Sequence, residues 1–480
     1  MKKLATVIIS MAFGISAYAH TPVEKSAQSA QNLSDVYQLA KKNNASYMAS
    51  EATFQSTQQN VPIALGQLLP IVDVGYVGQG NYTSAPGTDS TTGLEKRTKY
   101  FTQAPSVTVA QALFNWSAWG GYSYSVYQAK ADAISFAEAQ QNLILNTSQA
   151  YFEILQQQDN LAYARANESW NKELLNQNEE KYKVGLAAIT DVQATKAQYE
   201  QSVASTVQAE NDLATAYASL AQITGQKISS VQKLSDKFPF DKPKPASMKE
   251  WLNIALKQNL SVVQSQYLLQ SSEAGVSAAW GLFIPNATLN ANATRTLNYQ
   301  NPNNTAGSNT AYANVTVAWN VLNGGADYAT VKQSQYNKEA ARYNLLEAER
   351  ATESSLKTAY LNVITDISQV EAYKQAVISA QASVDAMKAS YEVGTSTIVD
   401  LLRQQQQLFE AQQQYSQAKY AYINDLLTLK QVAGVLSYQD VDAINKWLTT
   451  MHTSKQSSSN MQASQKKTAS SGIYKDVIEQ

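Results

Sequence analysis

The sequence predicts a mostly α-helical chain that carries a small β part and is built as a tandem repeat of two similar halves. Three observations lead to this prediction: matching segments recur at a nearly constant spacing, two very long stretches contain no proline and almost no glycine, and short stretches alternate apolar and polar residues. Each half would contain short helices, two strands and one long helical hairpin.

The repeat is clearest in two turns, "KYKVGLAAITDVQ" (181–193) and "YEVGTSTIVDLLR" (391–403), in which Gly185 aligns with Gly394 at an offset of 209 residues. Further anchors keep the same order along the chain: "LSDVYQLAKKNN" (33–44) with "MKEWLNIALKQN" (248–259), "VTVAQALFN" (107–115) with "VTVAWNVLN" (315–323), and Leu220 and Gly225 with Leu429 and Gly434. An ordered series of this kind indicates a duplication.

These anchors also define the predicted domain organisation. We predict a first structural repeat over residues 20–232, a linker rich in Pro and Lys over 233–247, and a second structural repeat over 248–450. Residues 451–480 form a polar tail with few aliphatic residues, which is typical of disorder.

Composition excludes several classes of protein. The net charge of −1 gives no support for a nucleic-acid partner. Cysteine is absent, and the two histidines, His20 and His452, stand apart, so no catalytic, metal-binding or cofactor-binding constellation is expected. A mean hydropathy of −0.34 excludes a bundle of membrane-spanning helices.

The first nineteen residues are typical of a signal peptide. Lys2 and Lys3 precede an apolar run over 4–15, and Ala17-x-Ala19 offers a cleavage site before His20. The alternative, a short buried helix, is weaker, and the run is too short to span a bilayer. We therefore predict export, and any membrane insertion of the remaining chain would have to use strands.

Each half changes from helical to alternating periodicity at a proline, Pro70 in the first half and Pro285 in the second, because proline lacks the backbone N–H. The predicted strands cover 71–82 and 106–110 in the first half, joined by a polar loop with Pro86, Gly87 and Gly93, and 286–294 and 313–321 in the second. Long helices follow over 118–183 and 326–392, each about 100 Å in length.

Four strands in one chain cannot close a barrel, and lipid does not tolerate open sheet edges. Transmembrane strands would therefore require several chains in one barrel, with Val315, Val317, Trp319 and Val321 facing lipid and the Asn/Thr faces lining water. Aromatic residues cluster where strands meet helices, as in membrane-interface belts: Trp116, Trp119, Tyr122 and Tyr124 in the first half, and Trp280, Phe283 and Trp319 in the second. A buried aromatic cluster is the alternative interpretation.

With this duplicated plan and the "VGLAAITDVQATKAQYE", "VGTSTIVDLL" and "GVLSYQDVDAIN" segments, the chain resembles the TolC family of outer-membrane efflux proteins, in its non-lipidated branch. The resemblance covers about residues 33–448. It implies a homotrimer whose 12-strand barrel in the bacterial outer membrane continues as a periplasmic α-helical barrel. It further implies docking on a periplasmic adaptor protein and an inner-membrane RND, MFS or ABC transporter, and passive export of drugs or polypeptides.

Both repeated turns would join long helices, with Gly185 and Gly394 in the left-handed conformation, and with Thr190/Asp191 and the 395–397 stretch as caps of the following helices. The resemblance implies that these turns form a periplasmic gate. The matching residues are Thr190 and Asp191 on the first hairpin and Tyr391 on the second, which makes an Asp191–Tyr391 hydrogen bond available.

Two positions depart from the family pattern. Ser396 stands where the family has an arginine of the closed-state latch, so we expect a different latch. Arg403 follows Asp400 where the family has a second aspartate, so the charges of the entrance constriction ring would nearly cancel. An exposed helical ion pair without effect on ion selectivity is the alternative interpretation.

An exported coiled-coil or adhesin-like protein is the second functional hypothesis, but it does not explain strands at matching places in both halves. A general diffusion porin would not need 100 Å helices. An enzyme is not predicted, since no phosphate-binding or dinucleotide-binding glycine loop is present.

Overall fold

The computed structural model describes residues 30–88, 95–299 and 307–449. The predicted signal peptide over 1–19, the tail over 451–480 and Gly93 of the predicted loop lie outside the described residues. The first half contains α1 (Leu33–Asn43), α2 (Ala45–Gln58), α3 (Asn60–Gly66), β1 (Ile71–Thr88), β2 (Glu95–Phe114), α4 (Trp116–Lys183), α5 (Ile189–Thr224) and β3 (Lys233–Leu234). The second half contains α6 (Met248–Gln258), α7 (Leu260–Trp280), β4 (Asn286–Tyr299), β5 (Ser308–Ala318), α8 (Ala326–Glu392), α9 (Ile398–Val432), α10 (Tyr438–Asn445) and β6 (Leu448–Thr449).

The two long helices match their predicted bounds closely, with 68 residues in α4 and 67 in α8. At 1.5 Å per residue, each is about 100 Å long. α5 packs on α4 and α9 packs on α8, so each half forms a long hairpin, and α4 also contacts α9. In the described part of the chain, no helix is both long and apolar enough to cross a membrane.

The main sheet has four antiparallel strands in the order β1-β2-β4-β5. The strands are mostly longer than predicted because backbone pairing continues where side chains no longer alternate. The prediction was wrong at the end of β5, which stops at Ala318, so Trp319 and Val321 lie beyond the strand. Ala318 pairs with Asn286, and the preceding residue, Pro285, has no N–H with which to extend the ladder.

The register gives the sheet one apolar and one polar face. Val74 lies opposite Val107, and Leu289 lies opposite Val315 on the same face. The other face carries hydrogen bonds between side chains of neighbouring strands, such as Thr102 Oγ1 to Asn298 Oδ1 at 3.1 Å and Asn292 Nδ2 to Thr108 Oγ1 at 2.9 Å. Apolar residues of both edge strands are exposed, with Val74 82% and Val317 67% accessible. Within the described residues, no helical layer covers the sheet.

The hydrophobic core is a belt midway along the long helices, where the short helices α1, α6 and α10 pack against them. Its largest fully buried side chains belong to α1, α4, α5, α8 and α9: Leu33, Tyr151, Phe152, Ile154, Leu155, Leu220, Leu356, Ile423, Leu427 and Leu429. This belt fixes the middle of both hairpins and leaves the sheet at one end and the tips at the other.

Corresponding contacts in the two halves show the duplication in three dimensions. Asn44 caps α2 and donates from Nδ2 to the carbonyl of Ile223 at 3.0 Å. Asn259 caps α7 and donates in the same way to Val432 at 2.8 Å. In each half, the same capping contact therefore holds the end of the long hairpin against the short helices at the start of that half.

Candidate gate at the helical tips

Each hairpin tip turns at a glycine with positive φ, Gly185 (76°) between α4 and α5 and Gly394 (80°) between α8 and α9. The N–H of Gly185 donates to Tyr182, and the N–H of Leu186 donates to Lys181, which satisfies the last carbonyls of α4. The turn at Gly394 repeats this pattern. A residue with a side chain would be strained at either position.

The two tips differ in how the next helix begins. At the second tip, Thr397 is the N-cap of α9, and its side chain and N–H both bond Asp400 in a capping box. At the first tip, the equivalent position is Ala188, which supplies no side-chain cap. The prediction that Thr190 and Asp191 cap α5 was wrong, because α5 begins at Ile189 and both residues already lie in its first turn.

The tips pack through a small apolar cluster. Leu174 of α4 meets Ile398, Leu401 and Leu402 of α9, with Trp170, Ala194, Met387 and Tyr391 packed around them. Leu401 is fully buried. The second hairpin therefore rests on the first by hydrophobic contact just above its turn.

Tyr391 provides the polar contact between the tips, with a partner different from the one predicted. Its hydroxyl donates to Oδ1 of Asn178 on α4, and Lys181 Nζ lies 4.6 Å from its ring centroid. A phenol has one proton, so the predicted bond to the acceptor-only Asp191 carboxylate is not formed. Burial raises the pKa of Tyr391, and the negative charge of nearby Asp191 raises this pKa further.

Three side chains predicted for the gate, those of Thr190, Asp191 and Ser396, form no hydrogen bond with one another or with Tyr391 in the described chain. The side chains of Thr190 and Ser396 make no hydrogen bond to the described residues, and Thr190 is exposed. Asp191 is half-buried and likewise has no hydrogen-bond donor in the described chain. All three side chains are therefore available to a partner outside this chain.

Asp400 and Arg403 lie on one face of α9, as their spacing predicts, with 3.8 Å between Oδ1 and Nη1. Both side chains are open to solvent, at 42% for Asp400 and 65% for Arg403. The hydrogen bonds from Thr397, more than the charge of Arg403, hold the pKa of Asp400 below its usual range. Asp400 is thus a fixed negative charge of the tip, with a cation beside it.

Sequence reasoning missed the charged contact between the hairpins, which lies about 39 Å above the first tip. Asp159 of α4 accepts hydrogen bonds from Lys419 (2.8 Å), Tyr420 (3.0 Å) and Ser416 (3.4 Å) of α9. The Asp159 and Lys419 side chains are largely buried. No local pattern distinguishes Asp159 from the exposed acids of α4, so only the packing of the two helices identifies it.

The opposite end of the hairpins carries the predicted helix-to-strand switches and aromatic belt. Pro70 and Pro285 immediately precede β1 and β4. The belt residues are at the surface rather than in a core, with Trp116 44%, Trp119 55% and Trp280 49% exposed. Trp319 is also exposed, and its indole N–H donates to the carbonyl of Phe283. Among the described residues, no cluster of three or more acidic or histidine side chains could hold a metal ion.

An exposed sheet with one apolar face, two helical hairpins whose longer arms measure about 100 Å, and turns gathered at the far end define the class of outer-membrane channels with a helical periplasmic extension. The model of the family "Outer membrane efflux protein" matches residues 36–226 and 251–435. The chain belongs to this family, and it is an outer-membrane protein. The two matched segments fall inside the two predicted repeats.

Similar proteins agree with this assignment. The chain is 32% identical to outer membrane protein TolC of Escherichia coli (strain K12) over 460 residues, covering 94% of this chain and 90% of that protein. It is 24% identical to the alkaline protease secretion protein AprF of Pseudomonas aeruginosa, covering 86% and 87%. The Campylobacter jejuni CmeC outer membrane channel has the same fold, with a TM-score of 0.73 at 19% identity, covering 90% of this chain and 95% of that one.

Proposed function

We propose that the chain forms the passive outer-membrane exit duct of a tripartite efflux pump, a type I secretion system, or both. The observation that carries this proposal is the uncovered four-stranded sheet at one end of two helices about 100 Å long, α4 and α8, in a member of the outer membrane efflux protein family. Efflux and secretion proteins both occur among its relatives.

The working unit is a homotrimer. Both edge strands, β1 and β5, lack a partner within the described chain, and lipid does not tolerate unpaired strand edges. Three copies give a closed barrel of about 12 strands, large enough for an aqueous channel. The apolar face with Val74 and Val315 then contacts lipid, and the Asn/Thr face lines water.

The six hairpins of the trimer continue the duct through the periplasm and close it at their tips. In this closed state, Tyr391 ties the second hairpin to the first, and the unpartnered Asp191, Thr190 and Ser396 meet the neighbouring protomer. Asp400 and Arg403 form the entrance constriction ring, in which three acids face three bases.

The tips also carry the docking surface for a periplasmic adaptor protein. Val184, Leu186 and Val393 are 70%, 79% and 75% exposed, so both turns present apolar side chains that an adaptor could cover. The adaptor links the duct to an inner-membrane RND, MFS or ABC transporter, which supplies the energy. The chain itself has no catalytic residue or cofactor in this proposal, since its family consists of channels rather than enzymes.

Planar-bilayer recording of the purified, detergent-solubilised protein tests this function. We expect a heat-modifiable trimer that gives discrete single-channel conductance. Trimers that never conduct would instead support the alternative of an exported coiled-coil or adhesin-like protein. A deletion strain, scored for drug sensitivity and for loss of secreted proteins, then identifies the cargo.

A further inference from the structure

The second hairpin contains a pair of carboxyl groups that the gate does not use. Asp366 of α8 and Asp425 of α9 lie on helices that pack on one another, and their carboxyl groups are near enough to interact electrostatically. They lie about 42 and 46 Å from the tip glycine, Gly394, at 1.5 Å per residue. This height is that of the hydrophobic belt, well away from Asp400 and Arg403.

Asp366 is buried among apolar side chains, and Asp425 is half-buried. Asp366 is only 7% exposed, although it is an acid, and the residues one turn away on either side of it, Val363 and Val370, are 0% and 4% exposed. On α9, Leu429 lies one turn after Asp425 and is completely buried. Two ionised carboxylates close together would repel one another, and the burial of Asp366 reduces the screening of this repulsion by solvent.

In the described part of the chain, no basic side chain forms an ion pair with Asp366 or Asp425. The charge of Asp425 acts on Asp366, and the amide of Asn362 is a further partner of Asp425. Oδ2 of Asp366 is buried and receives no donor from any described residue. The two acceptors can therefore bond only if a proton lies between them.

The neighbouring elements have their charged groups committed elsewhere. On α9, Lys419 pairs with Asp159 of α4, and Lys430 pairs with Asp440 of α10. On α6, which packs against α8, the charged residues are exposed: Lys249, Glu250 and Lys257. The charged residues of the segment before α6 are also exposed: Asp241, Lys242 and Lys244. Along α8, the charged residues nearest to Asp366 are Lys357 and Glu371, and both are exposed.

We propose that Asp366 and Asp425 share one proton, and that loss of this proton loosens the packing of α8 on α9. With the proton bound, Asp366 donates to Asp425, which also accepts from Asn362, and the two helices are joined through the belt. With the proton lost, two carboxylates repel at the same place. The second hairpin, which carries Tyr391 and Asp400, then unwinds more easily from the first.

The direction of the pH dependence follows from proton binding. Burial, followed by the charge of Asp425, raises the pKa of Asp366 to about 7 from an unfolded value near 4. Between these values the folded protein holds a proton that the unfolded chain releases, so stability falls as pH rises through this range. Asp400 does not contribute here, because its pKa is lowered and it stays ionised.

The test compares the purified wild-type trimer in detergent with Asp366→Asn and Asp425→Asn between pH 5 and pH 8. We expect the unfolding temperature of the wild type to fall by about 3 °C more than that of either variant. Infrared spectroscopy should show a protonated carboxyl that titrates in this range and is lost in both variants. Having two isosteric variants keeps the test decisive if one of them folds poorly.

Asp385→Asn is the matched control, since Asp385 is an exposed acid on the same helix and accepts from Gln381. It should retain the wild-type pH dependence and the infrared signal. A wild type without a titrating carboxyl, or with the same pH dependence as both variants, would overturn the proposal.

The effect on the gate rests on the proposed channel function and is read out separately. We expect the open probability of wild-type channels to increase several-fold from pH 5.5 to pH 8, and that of Asp366→Asn channels to stay nearly constant. A protein that never conducts refutes the channel while the carboxyl titration still decides the proton site. Conducting channels with the same pH response in both proteins refute the link to the gate.

Discussion

The hydroxyl of Tyr391 on the second hairpin donates to Oδ1 of Asn178 on the first, one residue pair that joins the two tips of the protomer. A hydrogen bond of this kind contributes about 0.5–1.5 kcal/mol net. We expect Tyr391→Phe to raise the open-to-closed ratio of single channels by up to about tenfold, because the phenyl ring keeps the packing and loses only the bond. Tyr343→Phe, at an exposed tyrosine of the same helix, is the control. Equal effects of the two changes would contradict the role of this bond.

Ser396 leaves the second tip without a cation where the family pattern has one. We expect Ser396→Arg to make spontaneous openings rarer by about tenfold or more, because a charge-assisted hydrogen bond contributes roughly 1.5–3 kcal/mol. Ser396→Gln supplies a long side chain without the charge. If it closed the channel as well as arginine does, side-chain length rather than charge would be responsible.

Arg403 lies beside Asp400 at the tip, with 3.8 Å between the charged atoms. We expect Arg403→Ala to leave a ring of three uncompensated carboxylates and so to increase the preference for cations, measured as a shift in reversal potential under a salt gradient. Arg403→Lys keeps the charge and should behave as the wild type. A wild type that is already strongly cation-selective, and unchanged in Arg403→Ala, would rule out charge compensation.

The unequal caps of the two tips give a reciprocal pair of changes. We expect Thr397→Ala to destabilise the first turn of α9 by about 1 kcal/mol, and Ala188→Thr to stabilise that of α5 by a similar amount. Hydrogen exchange of the amides in these two turns measures both. The capping explanation fails if exchange at α9 is unchanged in Thr397→Ala.

Gly434 takes positive φ (75°), and a Cβ there would lie 2.0 Å from the carbonyl oxygen of Gln258. Gly185 has the same φ but nothing within 4 Å of an added Cβ. We expect Gly185→Ala to cost roughly 1–2 kcal/mol from backbone strain. Gly434→Ala should cost more than twice as much, since backbone must also move. Denaturant unfolding that gave equal losses would mean that the contact with Gln258 relaxes freely.

The duplication, the long helices and the strand positions could be predicted because they depend on local signals. Pro70 and Pro285 mark the change from helix to strand, and the absence of internal proline marks α4 and α8. The ends of the strands were predicted less accurately. β5 stops at Ala318 because this residue pairs with Asn286, the first residue of β4, so the end of β5 depends on the neighbouring strand rather than on its own sequence.

The candidate site was predicted only in part, for the same reason. The turn glycines and the Asp400–Arg403 spacing are local, and the structure has them as expected. The acceptor for Tyr391 is 213 positions away, and Asn178 resembles many other amides of α4. Contacts between distant helices depend on their relative rotation, which polar, weakly amphipathic helices do not encode in a visible pattern.

In the proposed trimer, the two sheet edges that have no partner within the described chain also have a genetic consequence. A copy that supplies β1 but has lost β5 would still be admitted at one edge by its neighbours, and it would leave the ring unable to close. Such a copy, expressed beside the intact gene, would therefore inactivate assemblies containing normal subunits, so that the loss is dominant rather than recessive.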